Sequence, residues 1–176
     1  MDEIYFKVLD VGCGTNPMGD VNVDLYVGVS EHRGPKSLMP KEIPNFVLCD
    51  ACYLPFRDNS FEKVFSRHTL EHVGEKPQKT NIGPYKALKE IIRVASKAVE
   101  IYVPHRFAER KFWTKRNPGH RAFFNLKWFE DVIPRIEKEL NVNLSVLSEV
   151  IYKPLIIYFL MMPDEIHLTL SKRERK

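Results

Sequence analysis

The 176-residue chain is 44% hydrophobic and 28% charged with a net charge of +4, the balance of a folded globular protein and not of a disordered or low-complexity segment. That length suits one domain, so residues 1–176 are read as a single unit. No apolar run approaches the roughly 18 residues of a membrane span, and the N-terminus lacks the basic, apolar and small-residue order of a secretory leader. With an odd cysteine count as well, the expectation is a cytoplasmic protein with reduced thiols, no disulfide framework and no membrane partner.

In chain order, Val8-Leu9-Asp10-Val11-Gly12-Cys13-Gly14 reads as a buried parallel strand entering a glycine turn. Gly12 and Gly14 permit positive φ and a close backbone approach to a ligand. Open α/β sheets bind nucleotides at such a strand end, although Gly-x-Gly alone is also the pattern of an ordinary tight turn. Val21-Asn22-Val23-Asp24-Leu25-Tyr26 alternates as a second strand ending at Asp24, a carboxylate placed to accept both ribose hydroxyls. The link from Gly14 to Val21 is too short for a full helix, so a single turn or irregular loop is expected. That link lacks the third glycine of a dinucleotide fingerprint, which weakens an NAD reading.

Gly28 to Pro44 is polar and punctuated by Gly34, Pro35, Pro40 and Pro44. It reads as a long surface loop over the ligand edge, with one helical turn near Leu38. Phe46 to Ala51 is the third strand, again ending in a carboxylate, Asp50, and Leu54 to Phe61 is a turn anchored by Phe56 and Phe61. Lys63 to Ser66 is a fourth strand leading into Arg67-His68-Thr69-Leu70-Glu71-His72. Strand ends at Gly12, Asp24 and Asp50 on one sheet edge suit a nucleoside: backbone for its charged tail, Asp24 for ribose, Asp50 for the exocyclic amine of a purine. Cys49-x-x-Cys52 has no second pair or nearby histidine to complete a zinc site, so no metal is assigned.

Pro84 to Ala95 repeats apolar residues at helical spacing, with Pro84 at a first helical position. Val99 to Val103 is a fifth strand, closed by Pro104-His105-Arg106. His105 at that end reads either as a substrate-binding or proton-accepting imidazole or as a structural histidine bonded to a carbonyl. Arg106 to Arg121 is basic and interleaved with Phe107, Phe112 and Trp113. Lining a pocket ranks first for it, anchoring a loop second and stacking on RNA third. Asn125 is an expected N-cap for a helix from Leu126 to Leu140, with Pro134 a point of kinking. Val142 to Tyr152 and Ile166 to Leu170 are the last strands, antiparallel to one another. Leu155 to Met162 reads as a short helix or strand whose exposed face would mark a homodimer contact.

These blocks together resemble the Rossmann-like S-adenosylmethionine-dependent methyltransferases, in particular the small group named after methyltransferase domain 11. The resemblance rests on Leu9-Asp10-Val11-Gly12-Cys13-Gly14, on Val23-Asp24-Leu25 and on Asp50-Ala51-x-x-Leu54-Pro55-Phe56-x-Asp58-Asn59-Ser60-Phe61. It continues through Ser66-x-His68-x-Leu70-Glu71-His72, Glu90-Ile91-Ile92-Arg93-Val94 and Gly119-His120-Arg121-x-Phe123. It implies an α/β, doubly wound, mostly parallel sheet with an antiparallel C-terminal strand, flanked by helices. It implies S-adenosyl-L-methionine as cofactor and S-adenosyl-L-homocysteine as product. Asp10, Gly12, Cys13 and Gly14 would line the methionine end, mainly through backbone groups, Asp24 would hold the ribose with Leu25 beside the adenine, and Asp50 and Ala51 would contact the adenine edge. Ser66 and His68 would face the sulfonium, while Glu71 and His72 would support the helix start.

The family's leading helices are missing here, and Ser96-Lys97-Ala98-Val99 replaces its usual turn before the fifth strand. A sulfonium methyl is already electrophilic, so transfer by direct displacement needs an aligned acceptor and a base only for a hydroxyl or protonated amine; His68 and His105 are the candidate bases. The segment after the fourth strand lacks an Asn-Pro-Pro-Tyr motif, and no cysteine follows the fourth or fifth strand. Both absences disfavour nucleic-acid base methylation by those routes. A small-molecule acceptor ranks ahead of RNA. The alternatives are a non-catalytic S-adenosylmethionine-binding partner subunit and, behind it, an NAD(P)-binding oxidoreductase.

Overall fold

The computed structural model of the chain describes residues 6–25, 40–74, 82–108, 119–155 and 160–173. Its sheet is made of β1 (Val8–Val11), β2 (Val21–Asp24), β3 (Phe46–Leu48), β4 (Phe61–Arg67), β5 (Ala95–Pro104), β6 (Leu144–Leu155) and β7 (Leu160–Lys172). The spatial order is β3-β2-β1-β4-β5-β7-β6. β1 to β5 pair in parallel, and β7 runs antiparallel to both β5 and β6. This is the doubly wound, mostly parallel architecture, with an antiparallel C-terminal strand, that the family resemblance implies. The strand order reverses between β1 and β4, which makes their carboxyl ends the place for a ligand crevice.

Two helices flank the sheet. In α1 (Ile82–Val94), Ala87, Leu88, Ile91, Ile92 and Val94 recur on one face and are fully buried. The helix starts two residues ahead of Pro84, which still lies in the first turn, where a missing N–H costs nothing. In α2 (Leu126–Leu140), the Asn125 side chain accepts the Trp128 N–H at 3.0 Å as N-cap, and Asn141 in the left-handed region closes the helix. The helix runs unbroken through Pro134. Tyr85 and Lys89 of α1 both bond Glu139 of α2 at 2.6 Å, tying the two helices together.

The crossover from β1 to β2 is irregular, as its length dictates, and buried polar side chains hold it. Asp10 Oδ2 accepts the Met18 N–H at 2.9 Å. Asn22, fully buried, exchanges bonds of 2.9 Å with Gly19 and donates to the Pro44 carbonyl at 2.8 Å. Asp10 and Asn22 are register partners in adjacent strands, so the polar pair sits inside the sheet because the crossover needs it.

Several boundaries differ from expectation. β3 stops at Leu48, short of Ala51, because Asp50 accepts the Cys52 N–H at 2.8 Å and turns the chain. β5 begins at Ala95, directly after α1, with Ala95 paired to Phe61 and Ser96 bonded to the Phe61 carbonyl at 3.0 Å. The apolar stretch Leu155 to Met162 contributes Leu155 to the end of β6 and Leu160 to Met162 to the start of β7. Its middle, residues 156–159, lies outside the described residues, as do Tyr26, the loop around Leu38 and the basic segment 109–118.

Arg93 at the end of α1 clasps the Leu54–Asp58 turn. Its guanidinium donates to the Leu54 and Phe56 carbonyls, to Asp58 and twice to Glu90, all at 2.7–3.0 Å, while Glu90 also accepts the Leu54 N–H. The Arg93 side chain is only 19% exposed, so removing it strands Glu90 and two carbonyls. Arg93→Ala is expected to cost about 2–4 kcal/mol in urea denaturation, with Arg93→Lys intermediate because an ammonium lacks the fork. A loss under about 0.5 kcal/mol would mean that water satisfies the turn equally well.

Candidate functional site

The glycine turn closes one side of the crevice at the β1/β4 switch point. Gly12 has φ +79°, and a Cβ there would stand 2.0 Å from Thr69 Oγ1, so no side chain fits. The Thr69 hydroxyl lies 3.2 Å from the Val11 and Arg67 carbonyls, stitching the exit of β1 to the exit of β4. The N–H groups of Gly12 and Cys13 both donate to the Val23 carbonyl, at 2.8 and 3.1 Å. The Gly14 N–H donates to Asp24 Oδ2 at 3.0 Å. All three amides are thus engaged inside the protein, and no helix follows the turn, so the turn offers close approach and not a phosphate cradle.

The carboxylates gather at this edge. Asp10 is 2% exposed; burial, with Asp24 adding repulsion, pushes its carboxyl up to about 6 against the Met18 bond. Asp24 ends β2, followed by an exposed Leu25, and half-buried Asp50 and Ala51 follow β3. Burial first, and Asp50 second, pushes the Cys49 and Cys52 thiols up to about 11 and about 12. Neither is a reactive thiolate near neutrality.

Ser66 in β4 is buried, and its hydroxyl has no hydrogen-bond partner among the described residues. His68 follows with φ +51°, a left-handed backbone unusual outside glycine. Its Nε2 is 2.9 Å from Glu165 of β7, and its Nδ1 is 3.4 Å from Glu71 without the alignment of a hydrogen bond. Glu71 is the larger cause of a raised His68 pKa, opposed by burial and aided by Glu165. His105 is buried at the end of β5, with Nδ1 accepting the Phe107 N–H at 3.3 Å. Burial, and then Arg106, lowers its pKa. An apolar hollow of about 500 Å³ lined by Val21, Phe46, Phe56 and Phe61 lies at the opposite, amino edge of the strands, away from all these groups.

One grouping has no counterpart among the candidates read from sequence. Ligand-capable atoms of Glu71, His72 and His120 lie within 4.8 Å of one another. Glu71 and His72 had been read as supports of the helix start, and they do form a short 3-10 turn, Leu70–His72. His120 is 48 positions further on, and no local spacing signals the meeting.

The strand order agrees with the comparisons to known proteins. Residues 9–103 match the methyltransferase domain family. The chain belongs to that family. Among curated proteins it is similar to mouse "Probable tRNA methyltransferase 9B", 27% identical over 97 residues, which are 54% of this chain and 21% of that protein. The chain thus spans about a fifth of the length of the curated relative it matches. Among solved structures it is similar to an S-adenosylmethionine-dependent methyltransferase from Archaeoglobus fulgidus, with TM-score 0.63, 17% identity and coverage of 95% and 86% of the two chains. The small RNA methyltransferase HEN1 is similar as well, with TM-score 0.60, 14% identity and coverage of 97% and 23%. The fold is that of the S-adenosylmethionine-dependent methyltransferases.

The methyltransferase domain match runs from β1 to β5, taking in the glycine turn, Asp24, Asp50, Thr69 and Glu71-His72. It stops ahead of His105, His120 and the β6–β7 hairpin. Among the described residues no helix is long and apolar enough to cross a membrane.

The buried Asp10 carboxyl makes stability depend on pH with a definite sign. An acid whose folded pKa lies above its unfolded value binds more protons in the native state between the two values, so stability falls as pH rises through that window. For Asp10 the window runs from 3.8 to about 6. A shift of roughly two units corresponds to about 3 kcal/mol at most. In urea titrations the Asp10→Asn protein should gain on wild type progressively from pH 4 to 6 and hold a constant advantage above. A difference that does not vary with pH would show that Asp10 ionises at its ordinary pKa.

Proposed function

We propose that this chain transfers the sulfonium methyl of S-adenosylmethionine to an RNA acceptor by direct displacement, releasing S-adenosylhomocysteine, as a single cytoplasmic domain. The observation that carries the cofactor assignment is the turn that ties Gly14 to Asp24 while its Gly12 and Cys13 amides are bound to Val23. A pyrophosphate needs vacant N–H donors at a helix start, and this turn has neither, which removes the NAD(P) reading. A nucleoside bearing a sulfonium and an ammonium needs a close backbone and negative potential, which Asp10, Asp24 and Asp50 supply.

On this reading Asp10, Gly12, Cys13 and Gly14 line the methionine end, and the Asp24 carboxylate takes the ribose. Leu25 packs beside the adenine, Asp50 and Ala51 meet its edge, and Ser66 and His68 lie toward the sulfonium. Neither histidine is set as an open base: His68 stands between two carboxylates, and the His105 Nδ1 takes the Phe107 N–H. Transfer therefore relies chiefly on alignment of the acceptor lone pair behind the departing sulfur. RNA moves ahead of a small molecule because two similar proteins carry RNA methyltransferase names and the chain itself is basic, with a net charge of +4.

Calorimetry with S-adenosylhomocysteine and with NAD tests the cofactor, and methyl-labelled S-adenosylmethionine with separated tRNA, small-RNA and metabolite pools tests the acceptor. The homologue of the cofactor should bind and NAD should not. Asp24→Ala should weaken that binding by about 1–3 kcal/mol, roughly 5- to 150-fold. Label should enter an RNA pool. NAD binding in preference would overturn the reading, and label confined to metabolites would replace RNA as the acceptor.

A further inference from the structure

Packing alone does not account for the Glu71 side chain. It is 0% exposed, and neither carboxylate oxygen accepts a hydrogen bond among the described residues. A buried carboxylate without hydrogen bonds is far from its preferred environment unless a positive charge joins it or a proton neutralises it. The His68 Nδ1 is 3.4 Å away, misaligned, and the same ring is shared with Glu165 through its other nitrogen. Two further imidazoles sit at the carboxylate instead, those of His72 and His120.

Backbone bonds hold that meeting together. The Arg121 and Ala122 N–H groups both donate to the Glu71 carbonyl, at 2.6 and 3.1 Å, and the Arg121 guanidinium donates to the Gly74 carbonyl. His72 Nδ1 lies 3.2 Å from the Gly119 carbonyl, and the His72 and His120 rings pack edge to face with centroids 4.6 Å apart. Two segments nearly fifty residues apart are therefore clamped where their ligand-capable side chains converge.

We propose that Glu71, His72 and His120 form a site for one divalent first-row transition cation of the zinc, cobalt or manganese class. Two imidazole nitrogens and one carboxylate oxygen make a mixed set that such ions accept, whereas magnesium and calcium favour all-oxygen shells. Ligand atoms around a tetrahedral ion of this size stand about 3.4 Å apart, so a cluster within 4.8 Å closes on it by small side-chain rotations. Three protein ligands leave a further position, and the partial exposure of both histidines opens it to water or an oxygen ligand. Thr69, two residues before Glu71, touches Gly12, so the ion would lie beside the glycine turn. The site needs His120, which lies beyond residues 9–103 of the family match.

The test uses the full chain after chelation and dialysis. Calorimetric titration with zinc, manganese and magnesium chlorides should give one equivalent of tight zinc or manganese binding and magnesium at least 100-fold weaker. Cobalt loading should give visible absorption bands of a nitrogen- and oxygen-bound ion. His120→Ala should lower zinc affinity at least 100-fold and abolish those bands, and His72→Gln serves the same purpose if that variant does not fold. A Cys49→Ser/Cys52→Ser protein should keep one equivalent, which excludes the thiols. Absence of stoichiometric binding, or binding untouched by the histidine variants, overturns the proposal. S-adenosylhomocysteine titrated into the chelated protein reports the cofactor site separately, so loss of the metal proposal and loss of the methyl-transfer reading give different results.

Discussion

The contact between the Gly12 backbone and the Thr69 side chain is the constraint on which the rest of the ligand edge depends. Gly12 has no space for a Cβ, and its positive φ turns the chain out of β1 beside the exit of β4. Thr69 in turn spends its hydroxyl on the carbonyls that end both strands. This pins the two strand exits where the order of the parallel strands reverses, between β1 and β4. The position of Gly14, and through it the tie to Asp24, follows from that junction. So does the start of the short turn that carries Glu71 and His72, two residues on.

Around this junction the protein gathers the carboxyl groups of Asp10, Asp24 and Glu71. Asp10 is buried deeply enough to prefer its proton up to about 6, and Asp24 nearby makes ionisation harder still. A core would avoid this arrangement if packing alone mattered, since an apolar pair of the same shape serves better. The Asp10 bond to Met18 explains part of its presence, because the helix-free crossover needs side-chain acceptors where a helix would satisfy its own amides. The rest is intelligible if a cation completes the site. An S-adenosylmethionine sulfonium and ammonium supply that charge at one edge of the crevice, and a divalent ion supplies it at Glu71. Stability given up in the empty protein becomes binding free energy for cationic ligands.

How much of this was legible depends on the distance over which each feature is decided. The strands at Val8, Val21 and Phe46 and the α1 stripe of Leu88, Ile91 and Ile92 are written in period-two and helical spacing, and they appear where those patterns place them. The Asn125 cap and the irregular first crossover are equally local. The boundaries that moved were set across the sheet: β5 reaches back to Ala95 because Phe61 offers it a partner, and β3 is cut at Leu48 by a side-chain turn at Asp50. Thr69 was passed over because its role exists only opposite Gly12, 57 residues away in sequence. The Glu71, His72 and His120 cluster is of the same kind, with nothing in either segment alone to mark it.

The extent of the family match falls along the same line. The family match ends with β5, and it contains the turn, the acidic edge and the strand exits that a common cofactor requires. Beyond it, three elements reach back to the same place. β7 brings Glu165 to His68, the segment before α2 brings His120 to Glu71, and Phe124 pairs with His105 at the end of β5. A cofactor common to many proteins needs one fixed cradle, whereas acceptors differ and need a variable wall. On the proposed function that wall falls in the C-terminal third, where His68 is held between Glu71 inside the family match and Glu165 beyond it. On that reading substitutions at Glu165 or His120 act on the acceptor side, while those at Gly12 or Asp24 act on the methyl donor whatever the acceptor is.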